Sequence, residues 1–217
     1  MLSLDTPARR NSLRLSTVEA IATAVTDDPA APVVLRSQTP GMFCSGADLA
    51  VDDDERRLVS DALYGLYEAM VTRPGVVIAV VDGPAVGGGA QLSAAADLRV
   101  AGPTAAWKWA GPAHGLAVGS WILGELVGRA TALSLMLTQR WLSAEDAVRC
   151  GLVDEIAGDP DGTASRLVEQ VGGLDRDAIG AIKQITSAPV LLERLSAERI
   201  RNRACFSGAV PARAGTN

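Results

Sequence analysis

The sequence predicts an α/β fold closed by a helical C-terminal extension, and three observations carry that expectation. Short β-branched runs alternate with helical stretches, and the last third of the chain reads as helix throughout. Twice, near Gly46 and near Gly87, a strand runs through a glycine-bearing turn into a helix start.

In chain order, Ser16-Thr17-Val18-Glu19 has the pattern of a capping box and predicts a helix running to about Val25. Val33-Val34-Leu35 reads as a short strand, ending in the turn Gln38-Thr39-Pro40-Gly41. After FCSGADL (43–49) and the acidic run Asp52 to Glu55, apolar spacing at Val59, Leu63, Leu66 and Met70 predicts a helix that Pro74-Gly75 stops. Val76 to Val81 is an unbroken β-branched run, the mark of a strand buried on both faces, and Asp82-Gly83-Pro84 closes it. Gly87-Gly88-Gly89 leads into a small-residue helix at Ala90–Ala96 and then a strand at Leu98–Ala101. Ser143 caps the next helix, Leu152–Ile156 reads as a strand, and helical stretches at 163–171, 176–187 and 190–204 finish the chain. The loop Asp159-Pro160-Asp161-Gly162 divides a core, 1–158, from a helical region, 159–217, of the same domain.

Composition narrows the function. A chain of 217 residues, 48% apolar and 21% charged, fits one domain with an ample core. No apolar run is long enough to span a membrane and the start is too short and polar for a secretion signal, so the expected location is the cytoplasm. Cys44, Cys150 and Cys205 are too scattered for a disulfide framework or a metal site. His114 is the single histidine, which excludes HExxH zinc chemistry and allows a Ser-His-Asp triad only around itself. The net charge of −5 and the lack of a basic tract argue against nucleic acid. Neither a metal nor a bound cofactor is expected.

Three glycine motifs fail on inspection. Gly87 and Gly89 begin a GxGxxG, yet Leu92 occupies the third position. Neither Lys108 nor Lys183 is followed by Ser or Thr, which excludes a P-loop, and Phe43 stands where a GxSxG elbow needs glycine. What remains is the pair of strand-turn-helix events. If strands 33–35 and 76–81 share a sheet, their turns open on one edge, and the Ala47 and Gly88 N–H groups could converge on one carbonyl oxygen as an oxyanion hole. Taken singly, each is also simply a tight turn.

Two stretches, GMFCSGADL (41–49) and DGPAVGGGAQLSAAADLRVAG (82–102), resemble the signature segments of the crotonase, or enoyl-CoA hydratase/isomerase, superfamily. PARRNSL (7–13) resembles its opening Pro-x-x-x-Asn-x-Leu segment, and LTQRWLSAEDAVRCGLVDEI (137–156) a later one. The resemblance implies a crotonase-like ββα spiral core, a helical C-terminal part that builds a homotrimer or hexamer, and an acyl-CoA thioester as ligand. It places Ala47 and Gly88 as the oxyanion-hole residues.

Family hydratases also carry two catalytic glutamates, and at the matching positions stand Gln91 and Ala113. An amide cannot accept a proton at neutral pH, and each general acid or base contributes roughly 10² to 10⁴ in rate. Similarity to actinobacterial members with the same Gln and the same Gly-Leu-Ala-x-x-x-Trp pattern (115–121) implies a weak or non-hydrating acyl-CoA binder or carrier of fatty acid metabolism. The alternatives are an active hydratase or isomerase, or other enolate chemistry with His114 as base, and an accessory subunit of a catalytic paralogue, suggested by a chain that begins one hairpin late and ends early. His114 is otherwise a hydrogen-bonded loop histidine. Trp107 and Trp109 read as core, and Trp121 as a wall of the acyl pocket. Arg9 and Arg10 are solvated charges or, as the resemblance implies, phosphate ligands of the CoA nucleotide. Asp48 is expected to cap or brace a helix that it begins, with substrate binding a secondary role.

Overall fold

The computed structural model describes residues 1–187 and 189–206. Its elements are β1 (Leu2–Leu4), α1 (Leu15–Asp27), β2 (Val33–Ser37), α2 (Asp53–Thr72), β3 (Val77–Val81), β4 (Pro84–Val86), α3 (Gly88–Ala94), β5 (Leu98–Ala101) and β6 (Ala106–Lys108). A 3₁₀ turn at Gly111–His114 precedes α4 (Leu123–Val127), α5 (Arg129–Thr138), β7 (Leu142–Ser143), α6 (Ala144–Arg149), β8 (Glu155–Ile156), α7 (Pro160–Gly172), α8 (Arg176–Thr186) and α9 (Pro189–Phe206). The predicted α/β class and helical extension are what the structure has, although the chain from 207 onward lies outside the described residues.

One sheet has five parallel strands in the order β1-β2-β3-β5-β8, and a smaller one has the order β4-β6-β7. Strand β3 is buried on both faces, as its β-branched run predicts: Val77, Ala79 and Val81 enter the main core, while Ile78 and Val80 enter a second core with Ala164 and Leu167 of α7. β2 pairs in parallel with β3, Val33 opposite Val77, so the turns after both strands do open on the same edge.

Local chemistry explains where the boundaries move. Ser16 lies inside α1, which begins at Leu15 behind Arg14 with no side-chain cap, so the expected capping box is not formed. The start is set from outside: Leu13 is bridged to Ala47, and the Arg14 side chain is drawn to Asp48 at 2.8 Å. The acidic run opens α2 itself. Asp52 accepts the Glu55 N–H at 2.8 Å, and the following acids occupy the first turn, where the helix dipole favours them. The expected strand at 152–156 shrinks to Glu155–Ile156, because the Leu152 and Val153 N–H groups bond the Ala147 carbonyl and finish α6.

On α8, Lys183 is buried with its Nζ 2.6 Å from Asp97 Oδ2 and 2.8 Å from the Gly75 carbonyl, which ties that helix to the sheet. On α9, Leu195 is buried and Leu191 packs partly against the core, whereas Val190 and Ile200 are exposed. Leu191 and Leu195 therefore pack within the chain, which leaves Val190 and Ile200 on its surface. Among the described residues no helix is long and apolar enough to cross a membrane.

Candidate functional site

The site begins with a buried asparagine. Asn11, at φ 53°, takes the left-handed conformation that Asn tolerates better than most residues. Its Nδ2 donates to Ser37 Oγ (2.8 Å) and the Phe43 carbonyl (3.0 Å), and its Oδ1 accepts from the Thr6 N–H (2.7 Å) and Thr39 Oγ1 (2.9 Å). This fixes the loop after β2 against the opening segment. The Leu13 N–H then bonds the Gly46 carbonyl at 2.8 Å, and the Asp48 N–H bonds the Leu13 carbonyl at 3.1 Å. In a parallel bridge those two bonds flank Ala47, whose own N–H consequently points away from Leu13.

Its nitrogen lies beside the start of α3. Gly88 is the first residue of that helix, so its N–H has no acceptor within it, while the Gly87 N–H is already spent on the Lys108 carbonyl at 2.8 Å. A Cβ placed on Gly88 would sit 3.5 Å from Ala47 N, so both donors border one small space. Two glycines permit this approach. Gly46 has φ +91°, and a Cβ there would be 2.7 Å from the Val86 carbonyl oxygen; on Gly89 it would be 2.6 Å from Cys44 Cβ. Cys44 is inert in this packing, because burial pushes its thiol up to about 12.

The space belongs to a cavity of about 140 Å³. Its wall is apolar at Leu63, Tyr67, Val86, Leu116 and Val118, and its lining includes Arg56, His114 and Gln91. Among the described residues no aspartate or glutamate lines it. Gln91 is 4% exposed and its Oε1 accepts the Trp121 indole N–H at 2.8 Å. Trp121 in turn stacks on Tyr67, centroids 6.0 Å apart and planes at 19°, while Tyr67 Oη donates to the Gly88 carbonyl at 3.0 Å.

Behind the wall, Glu198 of α9 gathers the loop before α4. Its Oε1 accepts from Tyr64 Oη (2.7 Å) and the Gly119 N–H (3.0 Å), and its Oε2 from the Trp121 N–H (3.0 Å) and Ser120 Oγ. Asn202, one turn on, bonds both the N–H and the carbonyl of Ala117 and donates to Tyr64 Oη. Burial raises the Glu198 carboxyl above its ordinary range despite its four donors, of which Ser120 pulls back most. The segment carrying Leu116, Val118 and Trp121 is thus held in place by the C-terminal helix.

The expected site residues divide. Ala47, Gly88, Gln91 and His114 line the cavity together. Trp121 does not: it is 1% exposed and stands one layer back, where it braces Gln91 and Tyr67. Ala113 is exposed and opens on an outer groove, because the 3₁₀ turn presents Ala110 and Gly111 inward instead. His114 is also exposed and lines both cavity and groove, which puts it at the mouth. Asp48 begins no helix; it accepts from Arg14 Nε and from the Ala50 N–H at 3.0 Å, and these bonds, the Ala50 one foremost, hold its carboxyl below the ordinary range. Arg9 and Arg10 are exposed, on a segment whose Arg10 carbonyl accepts the Ser45 N–H at 3.1 Å beside the cavity.

Sequence reading missed the face of α2 formed by Arg56, Ser60, Tyr64 and Tyr67, all cavity-lining, although their spacing of four, four and three residues is a helical stripe. Arg56 carries a charge to the mouth, where it pairs with Asp53 at 3.1 Å and lies over Phe206, 5.7 Å from the ring centroid. Glu198 and Asn202 were also missed, and their placement depends on long-range packing that no local pattern announces.

Known proteins resemble this chain in sequence and in fold. The family model described as enoyl-CoA hydratase/isomerase matches residues 1–207. A Mycobacterium tuberculosis protein named probable enoyl-CoA hydratase echA6 is 35% identical over 161 residues, covering 71% of this chain and 65% of the relative. The chain thus aligns with less than two thirds of that relative's length. The counterpart from Mycobacterium leprae is 32% identical over 193 residues, 85% of this chain and 77% of its own. Among solved structures, an enoyl-CoA hydratase from Bacillus halodurans superposes with a TM-score of 0.84 at 24% identity over 94% of this chain and 90% of that one, which shows a shared fold. Pseudomonas aeruginosa DspI gives a TM-score of 0.80 at 26% identity over 95% and 91%.

Proposed function

Since the chain belongs to the enoyl-CoA hydratase/isomerase family, we propose that it binds acyl-CoA thioesters, holding the thioester oxygen on the Ala47 and Gly88 N–H groups, and hydrates them weakly or not at all. The observation that supports this reading is that Ala47 N and Gly88 border one cavity, whose lining among the described residues includes no aspartate or glutamate. The donors supply electrostatic complementarity to a carbonyl oxygen and to the charge it gains as an enolate. Hydration additionally needs a group that takes a proton from water and one that delivers a proton to the α-carbon. Gln91 does neither, and Ala110 and Gly111, on the inner side of the 3₁₀ turn, offer no proton-transfer group.

The apolar wall suits a hydrocarbon chain, and the exposed Arg9 and Arg10 beside the rim suit the phosphates of the nucleotide. Calorimetric titration with short, medium and long acyl-CoAs tests the reading. Binding without appreciable hydration of the 2-enoyl member is expected, and silence across the panel refutes it.

His114 at the mouth favours a second reading, in which an imidazole acts as base in another enolate reaction. That reading requires turnover that His114→Ala removes while leaving affinity unchanged.

A further inference from the structure

The hydrogen bond between Trp121 and Gln91 does more than hold a side chain. An indole N–H is a donor only, so it selects the amide oxygen as its partner and dictates which way the amide faces. Among the described residues no side chain accepts from Gln91 Nε2, and that atom is not among the buried polar atoms left without a partner. Gln91 itself lines the cavity, so the NH₂ group is the end of the amide that meets the ligand. A glutamate here would present an acceptor to the same point. This chain presents a donor, locked in that sense by Trp121, which is fixed by stacking on Tyr67 and by its backbone bond to Glu198.

The donor also has a definite place along the acyl chain. Gln91 lies three residues after Gly88 on α3, about 4.5 Å along the axis, and helical side chains lean back toward the N-terminus. With the thioester oxygen on the Gly88 N–H, the amide reaches the acyl carbons immediately beyond the thioester rather than the distal tail.

From this geometry we infer that Gln91 is a specificity-determining residue that favours acyl thioesters bearing an acceptor oxygen at C3, 3-oxoacyl thioesters foremost, over saturated and 2-enoyl chains. The inference rests on the acyl-CoA reading above. A C3 carbonyl accepts the amide N–H, whereas a saturated or enoyl chain leaves it without a partner in a largely desolvated wall. Trp121 acts as a positioning residue, since without its indole N–H the amide is free to turn its oxygen inward.

The test compares the affinities of 3-oxobutanoyl-CoA and butanoyl-CoA by calorimetry at pH 7. Wild type should bind the 3-oxo thioester about 3- to 10-fold more tightly, the worth of one neutral hydrogen bond. Gln91→Glu, which sets an acceptor against the ketone, should invert the ratio, and Trp121→Phe, which keeps the stacked ring but not the donor, should bring it close to one. The ratio, not either affinity alone, is the readout, because general damage to the cavity lowers both together. Equal wild-type affinity for the two thioesters overturns the inference and leaves acyl-CoA binding intact. Binding of neither overturns both.

Discussion

Replacing Gly88 by alanine separates a binding role from a structural one. The new Cβ would lie 3.4 Å from Leu63 Cδ1 and 3.5 Å from Leu13 Cδ1, ordinary contacts with the ends of flexible side chains, and Gly88 is not in the left-handed region. The fold should accept it, and helix propensity at this position even favours alanine by up to about 1 kcal/mol. The same methyl carbon lies 3.5 Å from Ala47 N. A carbonyl oxygen bonded there must come to about 2.9 Å, so methyl and oxygen compete for one space. Losing two neutral hydrogen bonds costs about 1–3 kcal/mol, or about 5- to 150-fold in Kd. Differential scanning calorimetry should find Tm unchanged or slightly raised while titration with an acyl-CoA finds this weakening. Gly89→Ala is the contrasting control: its Cβ would strike Cys44 Cβ at 2.6 Å, so it should lower Tm itself. Undiminished affinity in a folded Gly88→Ala protein would refute the shared-oxygen argument.

Other consequences are equally direct. Glu198→Gln puts an NH₂ group against N–H donors of the 119–121 loop and should cost about 1–3 kcal/mol, read as a lower Tm. Because the folded state raises the Glu198 carboxyl, its stabilising protonation is fully present below the ordinary value of 4.5 and is lost as pH rises through the raised one, so the Tm gap between wild type and Glu198→Gln should narrow over that rise. A gap constant with pH contradicts this. Wild type should hydrate crotonyl-CoA slowly, and Gln91→Glu combined with Ala110→Glu, which places a second carboxylate on the inward side of the turn, should raise the rate at least about tenfold, or ~1.4 kcal/mol of barrier. Arg9→Ala with Arg10→Ala should weaken CoA-thioester binding and flatten its salt dependence, and an unchanged salt slope would remove both from the phosphate site. Light scattering should report trimers or hexamers, with a monomer at micromolar concentration as the contrary result.

The core of the site was legible because its signals are local. Small residues at 46–47 and 87–89 and the β-branched run of β3 can be read without knowing their neighbours, and they define the two turns and their common edge. Failures came where a neighbour decides. The pattern at 115–121 places Trp121 in the pocket wall, but Tyr67 and Gln91 stand in front of it. The motif match places Ala113 at the ligand, yet the turn of the 3₁₀ segment puts Ala110 there. The capping box at Ser16 lost to the Leu13–Ala47 bridge, a contact across more than thirty residues that fixes where α1 can start. The buried Glu198 has no local signal on a polar helix, and only the packing of α9 against the 117–121 loop gives it four donors.

A crystal structure of the protein after incubation with crotonyl-CoA tests the central claim most directly. The account predicts an unreacted thioester whose carbonyl oxygen lies about 3 Å from both Ala47 N and Gly88 N, with the double bond intact beside Gln91. A 3-hydroxyacyl product in the cavity, or a thioester oxygen bound away from those two N–H groups, would contradict it.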